Sequence, residues 1–151
     1  MGIMMTVAKA FVDTNVLLRA LHSDFTLHQA AKGLIDRYWD QGYVLWINRQ
    51  VVREYLVQVT HPATFVQSLT YEQIARQIGV IRALFKIPDE TDAITQRLMT
   101  LLQTYPARGK LIHDANLVAV MLEHDIDTLL TLNTADFQRF VPLITLVTVE
   151  G

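Results

Sequence analysis

The segment Ala10-Phe11-Val12-Asp13 constrains the fold more than any other stretch of the chain. Its apolar residues read as a buried strand that ends abruptly on a carboxylate. A helix-compatible run, Val16, Leu17, Leu18, Ala20 and Leu21, begins at once. A strand that passes straight into a helix opens a βαβ unit, and in open α/β sheets ligands bind outside the carboxyl ends of the strands. Taken alone, Asp13 has a plainer explanation, as the N-cap of the helix that follows.

The rest of the chain repeats the alternation. A second helix is expected from Leu27 to Gln41, stopped by Gly42, and a strand over Tyr43–Ile47. Asn48 caps a third helix that His61-Pro62 ends. Helices over Tyr71–Phe85 and Thr91–Tyr105 follow, with Ile87 between them as a very short edge strand. Arg108-Gly109-Lys110 is a basic turn, and Leu111–Glu123 a further helix. A strand over Ile126–Thr131, a turn with a short helix over Asn133–Phe140 and a last strand over Ile144–Val149 complete the chain. Such alternation implies an α/β fold with a central, mainly parallel sheet and helices on both faces. No repeat or linker divides residues 1–151, so one domain is expected, large enough to bury about 70% of its unfolded surface.

Composition excludes several classes of function. A net charge of −2 rules out a global basic field, so any polynucleotide must be held by a local patch or by metal ions. The absence of Cys excludes disulfides, thiolate metal sites and Cys nucleophiles, and suits a reducing cytoplasm. No run approaches the roughly 18 apolar residues of a membrane span. Lys9, Asp13, Asn15 and Arg19 interrupt the N-terminal apolar region, against a secretory leader. A soluble cytoplasmic protein is expected.

Three further carboxylates bear on Asp13. Asp114 shares a helix face with Leu111, Leu117, Val118 and Met121, which should point at the core or the sheet edge. An ionised carboxylate there is costly unless paired, hydrogen-bonded or metal-bound, although a first-turn position also suits the helix dipole. Glu54 borders the apolar stripe of the third helix, where a solvated Glu bonded to Gln50 or Gln58 is the commoner outcome. Asp136 lies just beyond a strand end, early in a short helix behind a Thr134 cap. Thr131 and Asn133, short and polar, are placed to orient carboxylates. Clustered, these oxygen donors would suit Mg²⁺ or Mn²⁺.

Four segments together resemble the PIN-domain nucleases, and among them the VapC-like toxins of bacterial toxin–antitoxin pairs. They are Phe11-Val12-Asp13-Thr14-Asn15, Glu54 within Val51-Val52-Arg53-Glu54-Tyr55, His113-Asp114-Ala115, and Thr131-Leu132-Asn133-Thr134-Ala135-Asp136-Phe137. The resemblance spans essentially the whole chain. It implies that Asp13, Glu54, Asp114 and Asp136 form one acidic pocket, supported by Thr14, Asn15, Thr131 and Asn133. It also implies a parallel central sheet, a homodimer and a small antitoxin that covers the pocket.

The expected activity is therefore metal-dependent RNA hydrolysis. Mg²⁺ or Mn²⁺ held by the carboxylates would acidify water and neutralise phosphate charge, and the resemblance implies 5′-phosphate and 3′-hydroxyl products. Asp13 and Asp114 are the expected primary ligands, with Asp136 and Glu54 acting directly or through water. Arg19, Arg49, Arg53, Arg108 and Lys110 are candidate phosphate contacts, each more simply a solvated cation. His113 reads as a residue of the helix's first turn rather than a general base. The alternative is a non-catalytic PIN-like module that binds RNA or protein. A phosphoryl-accepting domain would need a well-placed Lys, and a dehalogenase-like hydrolase would need an Asp where Asn15 stands.

Overall fold

The computed structural model describes residues 6–65 and 67–149. The outermost parts of the expected 1–151 domain, and residue 66, lie outside the described residues. Twelve elements follow one another: β1 (Lys9–Val12), α1 (Thr14–Leu21), α2 (His28–Asp40), β2 (Val44–Trp46), α3 (Arg49–Thr60), α4 (Tyr71–Leu84), α5 (Asp92–Thr104), α6 (Leu111–Glu123), β3 (Thr128–Leu130), α7 (Thr134–Phe137), a 3₁₀ turn (Gln138–Phe140) and β4 (Thr145–Val147).

The strands form a four-stranded sheet in the order β2-β1-β3-β4. All pairings are parallel, with Phe11 opposite Trp46 on one side and Leu129 on the other. The chain moves from β1 out to β2, then back past β1 to β3. Right-handed crossovers running in opposite directions put helices on opposite faces of the sheet, as the alternation predicted. The connections leaving β1 and β3 therefore diverge. The crevice between them, at the carboxyl ends of these strands, is where open α/β sheets bind ligands.

The core explains why the central strands are apolar beyond their first residue. Phe11, Val12, Leu129 and Leu130 are fully buried, as are Leu17 of α1, Val51 and Tyr55 of α3, and Phe140. α6 contributes a continuous buried run, with Leu117, Val118, Ala119, Val120 and Met121 all inside. It packs against α5 and α7, while α1 packs against α2 and α3.

Local signals set the helix ends. Asn48 accepts the Val51 N–H at 2.8 Å and caps α3, and Thr70 with Gln73 makes a reciprocal capping box on α4. Gly42 (φ +85°) and Gly109 (φ +58°) occupy left-handed turns after α2 and before α6, where a Cβ would be strained.

Three details differ from the sequence-based expectations. The strands are shorter than their apolar runs, because each turns quickly into helix or loop. The edge pairing expected at Ile87 falls on Lys86, whose N–H donates to Leu45 O at 2.8 Å and whose carbonyl accepts from Ile47 N–H at 3.1 Å. Leu111 is exposed, since it opens α6 ahead of the buried turns. Replacing Asn48 by Ala should cost about 1 kcal/mol in urea unfolding, and Asn48→Ser should restore most of it, because the serine hydroxyl can cap in the same place.

Candidate active site

Asp13 stands at the carboxyl end of β1, where its backbone N–H donates to Leu130 O at 2.9 Å and extends the ladder to β3 by one residue. Its side chain is a cap and more than a cap. Oδ1 accepts the Thr14 N–H at 2.8 Å, and Oδ2 accepts the Thr131 hydroxyl at 2.7 Å. The Asn15 amide approaches Oδ2 at 3.5 Å. Thr131, just past β3, is completely buried, and its Oγ1 also accepts the Asn133 N–H at 2.9 Å.

The other expected residues are drawn in by the same frame. Thr14 donates its hydroxyl to Glu54 Oε2 at 2.6 Å, while Gln50, one turn earlier on α3, donates to Oε1 at 3.0 Å. Asn15 accepts the Leu132 N–H at 3.1 Å and so ties α1 to the loop after β3. Asn133 donates its amide to Asp136 at 2.6 Å. Asn133, rather than Thr134, is the N-cap residue of α7.

Asp13, Glu54 and Asp114 line one cavity of about 480 Å³, together with Thr14, Asn15 and Asn133. Asp136 is exposed and does not line it, although its charge acts on both Asp13 and Asp114. Burial raises the pKa of Asp13, the hydrogen bonds from Thr131 and Thr14 oppose that rise, and Glu54 and Asp136 add to it. Asp114 is pushed up to about 6, first by burial and then by Asp13, Asp136 and Glu54, with Arg139 opposing. Among the described residues the ion pairs are Lys32–Asp36, Arg49–Asp89 and Arg97–Glu123, so none of the four acids has a salt-bridge partner.

The donor set is all oxygen and its negative charge is uncompensated, which suits a hard cation. Among the described residues no group of three His, Asp or Glu side chains is arranged to hold a metal ion.

Of the basic candidates, Arg19 lines the cavity. Arg49 reaches Asp89 instead, at 3.2 Å, and Arg53 bonds Gln50 at 2.7 Å. Arg108, Lys110 and His113 are exposed and do not line it. Sequence reasoning passed over Arg139, whose Nε and Nη2 are buried without a hydrogen-bond partner and whose charge reaches Asp114. Its place one turn after Asp136 was the available signal. Phe25 and Gln58, also on the cavity wall, carried no such signal.

Residues 10–141 match the PIN domain family, which is most of the chain. The chain belongs to the PIN domain family. This PIN domain is similar to Ribonuclease VapC48 of Mycobacterium tuberculosis, with 28% identity over 130 residues, covering 85% of this chain and 89% of that protein. Its fold is similar to that of a chain in a toxin–antitoxin complex from Klebsiella pneumoniae, with TM-score 0.64 and 24% identity, covering 90% of this chain and 95% of the other. A chain of VapBC2 from Rickettsia felis, solved bound to a promoter DNA fragment, aligns with TM-score 0.63 and 18% identity, covering 94% and 99% of the two chains.

The carboxylates of this PIN domain make its stability depend on pH. A carboxyl whose folded pKa is raised binds more protons folded than unfolded between its two pKa values, so stability falls as pH rises through that window. For Asp114 the window runs from 3.8 to about 6. Metal-free protein should therefore melt higher at pH 5 than at pH 7.5. Asp114→Asn should flatten the difference, by an amount on the order of 1 kcal/mol given the group's partial exposure. Thermal unfolding with chelator at both pH values measures it.

Proposed function

We propose that this protein is a divalent-metal-dependent endoribonuclease and the toxin of a toxin–antitoxin pair. One observation carries the reading. Three carboxylates on separate elements are brought to one cavity at the sheet's switch point, with no cation of the protein paired to them. Folding alone gains nothing from that arrangement, since each charge raises the cost of ionising the others. The similarity to a protein named as a ribonuclease, and to folds solved in toxin–antitoxin complexes, supports the same assignment.

Asp13 and Asp114 would hold Mg²⁺ or Mn²⁺ directly, with Glu54 and Asp136 acting through water. A cation bound there supplies Lewis acidity and positive charge against the scissile phosphate and makes water a better nucleophile at neutral pH. The chain's own residues position the reaction. Thr131 and the Thr14 N–H hold the Asp13 carboxylate in one orientation and favour its ionised form. Thr14 and Gln50 fix both oxygens of Glu54, which can orient the attacking water or take its proton. Arg19 lies on the wall of the same cavity, where it can contact a phosphate oxygen. In-line attack by water leaves a 5′-phosphate and a 3′-hydroxyl.

An antitoxin protein and a second copy of the chain are the proposed macromolecular partners, on the same family resemblance, and the cytoplasm the proposed location. The competing reading is a non-catalytic PIN module that binds RNA or protein.

Purified protein should cut RNA into discrete fragments with Mg²⁺ or Mn²⁺ and leave it whole with EDTA. Asp13→Asn and Asp114→Asn should each lower the rate by roughly two orders of magnitude or more, the scale for losing one charged group that acts on a transition state. Thr131→Val should lower it about tenfold to a hundredfold, as loss of a residue that orients a metal ligand does. A folded, inhibitor-free wild type that is inert on RNA would move the binding-module reading ahead. The rate should also fall at low pH, where protons compete with the metal for the carboxylates.

A further inference from the structure

The cavity that holds the acids continues past them, and its outer half has a different chemistry. Along α1, Asn15 is followed one turn later by Leu18 and Arg19. Along α3, Glu54 is followed one turn later by Val57 and Gln58. All of these residues line the cavity, as does Phe25 from the loop between α1 and α2. The walls thus change from carboxylate to guanidinium to aromatic and amide over one helical turn.

Phe25 sits among other rings. Its ring meets Phe65 edge-on at 5.7 Å and 85°, and His22 at 6.3 Å and 67°. His22 is itself stacked on the buried Tyr55 ring at 5.7 Å and shares a 2.7 Å hydrogen bond with its hydroxyl. The loop returns through Leu27, whose φ of 64° is left-handed for a non-glycine residue. It is pinned there by His28 Nδ1, 2.7 Å from Arg19 O. Such backbone strain persists only where the surroundings over-determine it.

Arg19 lies over this ring, with its Cζ 5.9 Å from the centroid, and donates Nη1 to Asn15 O at 3.1 Å. Its Nε is buried and has no hydrogen-bond partner. On the α3 wall Val57 is 58% exposed, an apolar surface left open to solvent. Gln58 accepts Thr64 Oγ1–H at its amide oxygen, at 3.3 Å, and its N–H groups have no partner among the described residues.

We propose that this outer half is a nucleoside subsite, taking the base beside the phosphate that lies at the acids. The base stacks on Phe25 with Val57 across from it, Arg19 holds the sugar-phosphate between base and acids, and the Gln58 N–H groups meet the base edge. An aromatic ring, a guanidinium plane and a side-chain amide are the means by which proteins hold unpaired RNA bases. A base inside a duplex is already stacked and cannot enter. The inference rests on the nuclease reading only for which phosphate occupies the acid end.

The test is binding, read separately from cleavage. The four homopolymeric RNA hexamers and an abasic ribose-phosphate hexamer are titrated with Mg²⁺ into Asp114→Asn protein, which holds cleavage off. The best homopolymer should bind roughly tenfold more tightly than the abasic strand, the scale of one base–aromatic stack. Adding Phe25→Ala should bring that ratio close to one, and Phe25→Leu, which keeps the packing against Phe65, should do the same. Gln58→Ala should narrow the spread among the four bases. Ring-current shifts of the Val57 methyls on hexamer binding give the same answer with the loop intact. Equal affinity for abasic and base-bearing strands, or an unchanged ratio in folded Phe25 variants, would overturn the subsite. Neither result touches the nuclease reading, which fails only if the wild type does not cut RNA.

Discussion

A single hydrogen bond, from the Thr131 hydroxyl to the Asp13 carboxylate, closes the site end of the sheet. Asp13 is too buried to find enough water, and a buried carboxylate without donors is strongly disfavoured. The hydroxyl of Thr131 supplies one bond and the first N–H of α1 supplies another. The same hydroxyl accepts the Asn133 N–H, and the Asn133 side chain holds Asp136. One oxygen atom therefore links the end of β1, the end of β3 and the start of α7. The direction of the β3–α7 loop follows from it, and with that the place of the exposed fourth acid.

The frame holds charges that oppose one another. Asp13 and Asp114 are both pushed above their ordinary pKa, by burial first and by neighbouring carboxylates next. Part of the surrounding frame is firmly bonded, which helps the fold tolerate this: Glu54 has a donor on each oxygen, and Asn15 is bonded to a loop N–H. Local destabilisation inside an otherwise well-packed core is the usual signature of a site maintained for what it binds.

Much of this was legible in the residues. The abrupt junction at Asp13, the cap at Asn48 and the glycines at 42 and 109 express local backbone preferences, and the elements follow them closely. Thr131 and Asn133 were readable as orienting groups because short polar residues at strand ends have little else to do. The bond from Thr14 to Glu54 was not, since it joins helices far apart in the chain. Arg139 was missed because its relation to Asp114 exists only after α7 folds back beside α6. Phe25 was missed because a lone aromatic in a loop has no period to betray it. Periodicity likewise placed Asp114 and Leu111 on one apolar stripe, although only the turns after Asp114 are inside.

The burial of α6 has a consequence of its own. Asp114 rides on a helix that buries a continuous run in its following turns, whereas Phe25 belongs to a loop held by ring contacts and two hydrogen bonds. Local opening costs least where buried contacts are fewest. As temperature rises, the loop should therefore loosen while the acid floor stays in place until the whole domain melts. On the proposed assignments, the warm protein would become less selective before it became inactive, since the base subsite and the acids belong to parts of the fold with different cooperativity.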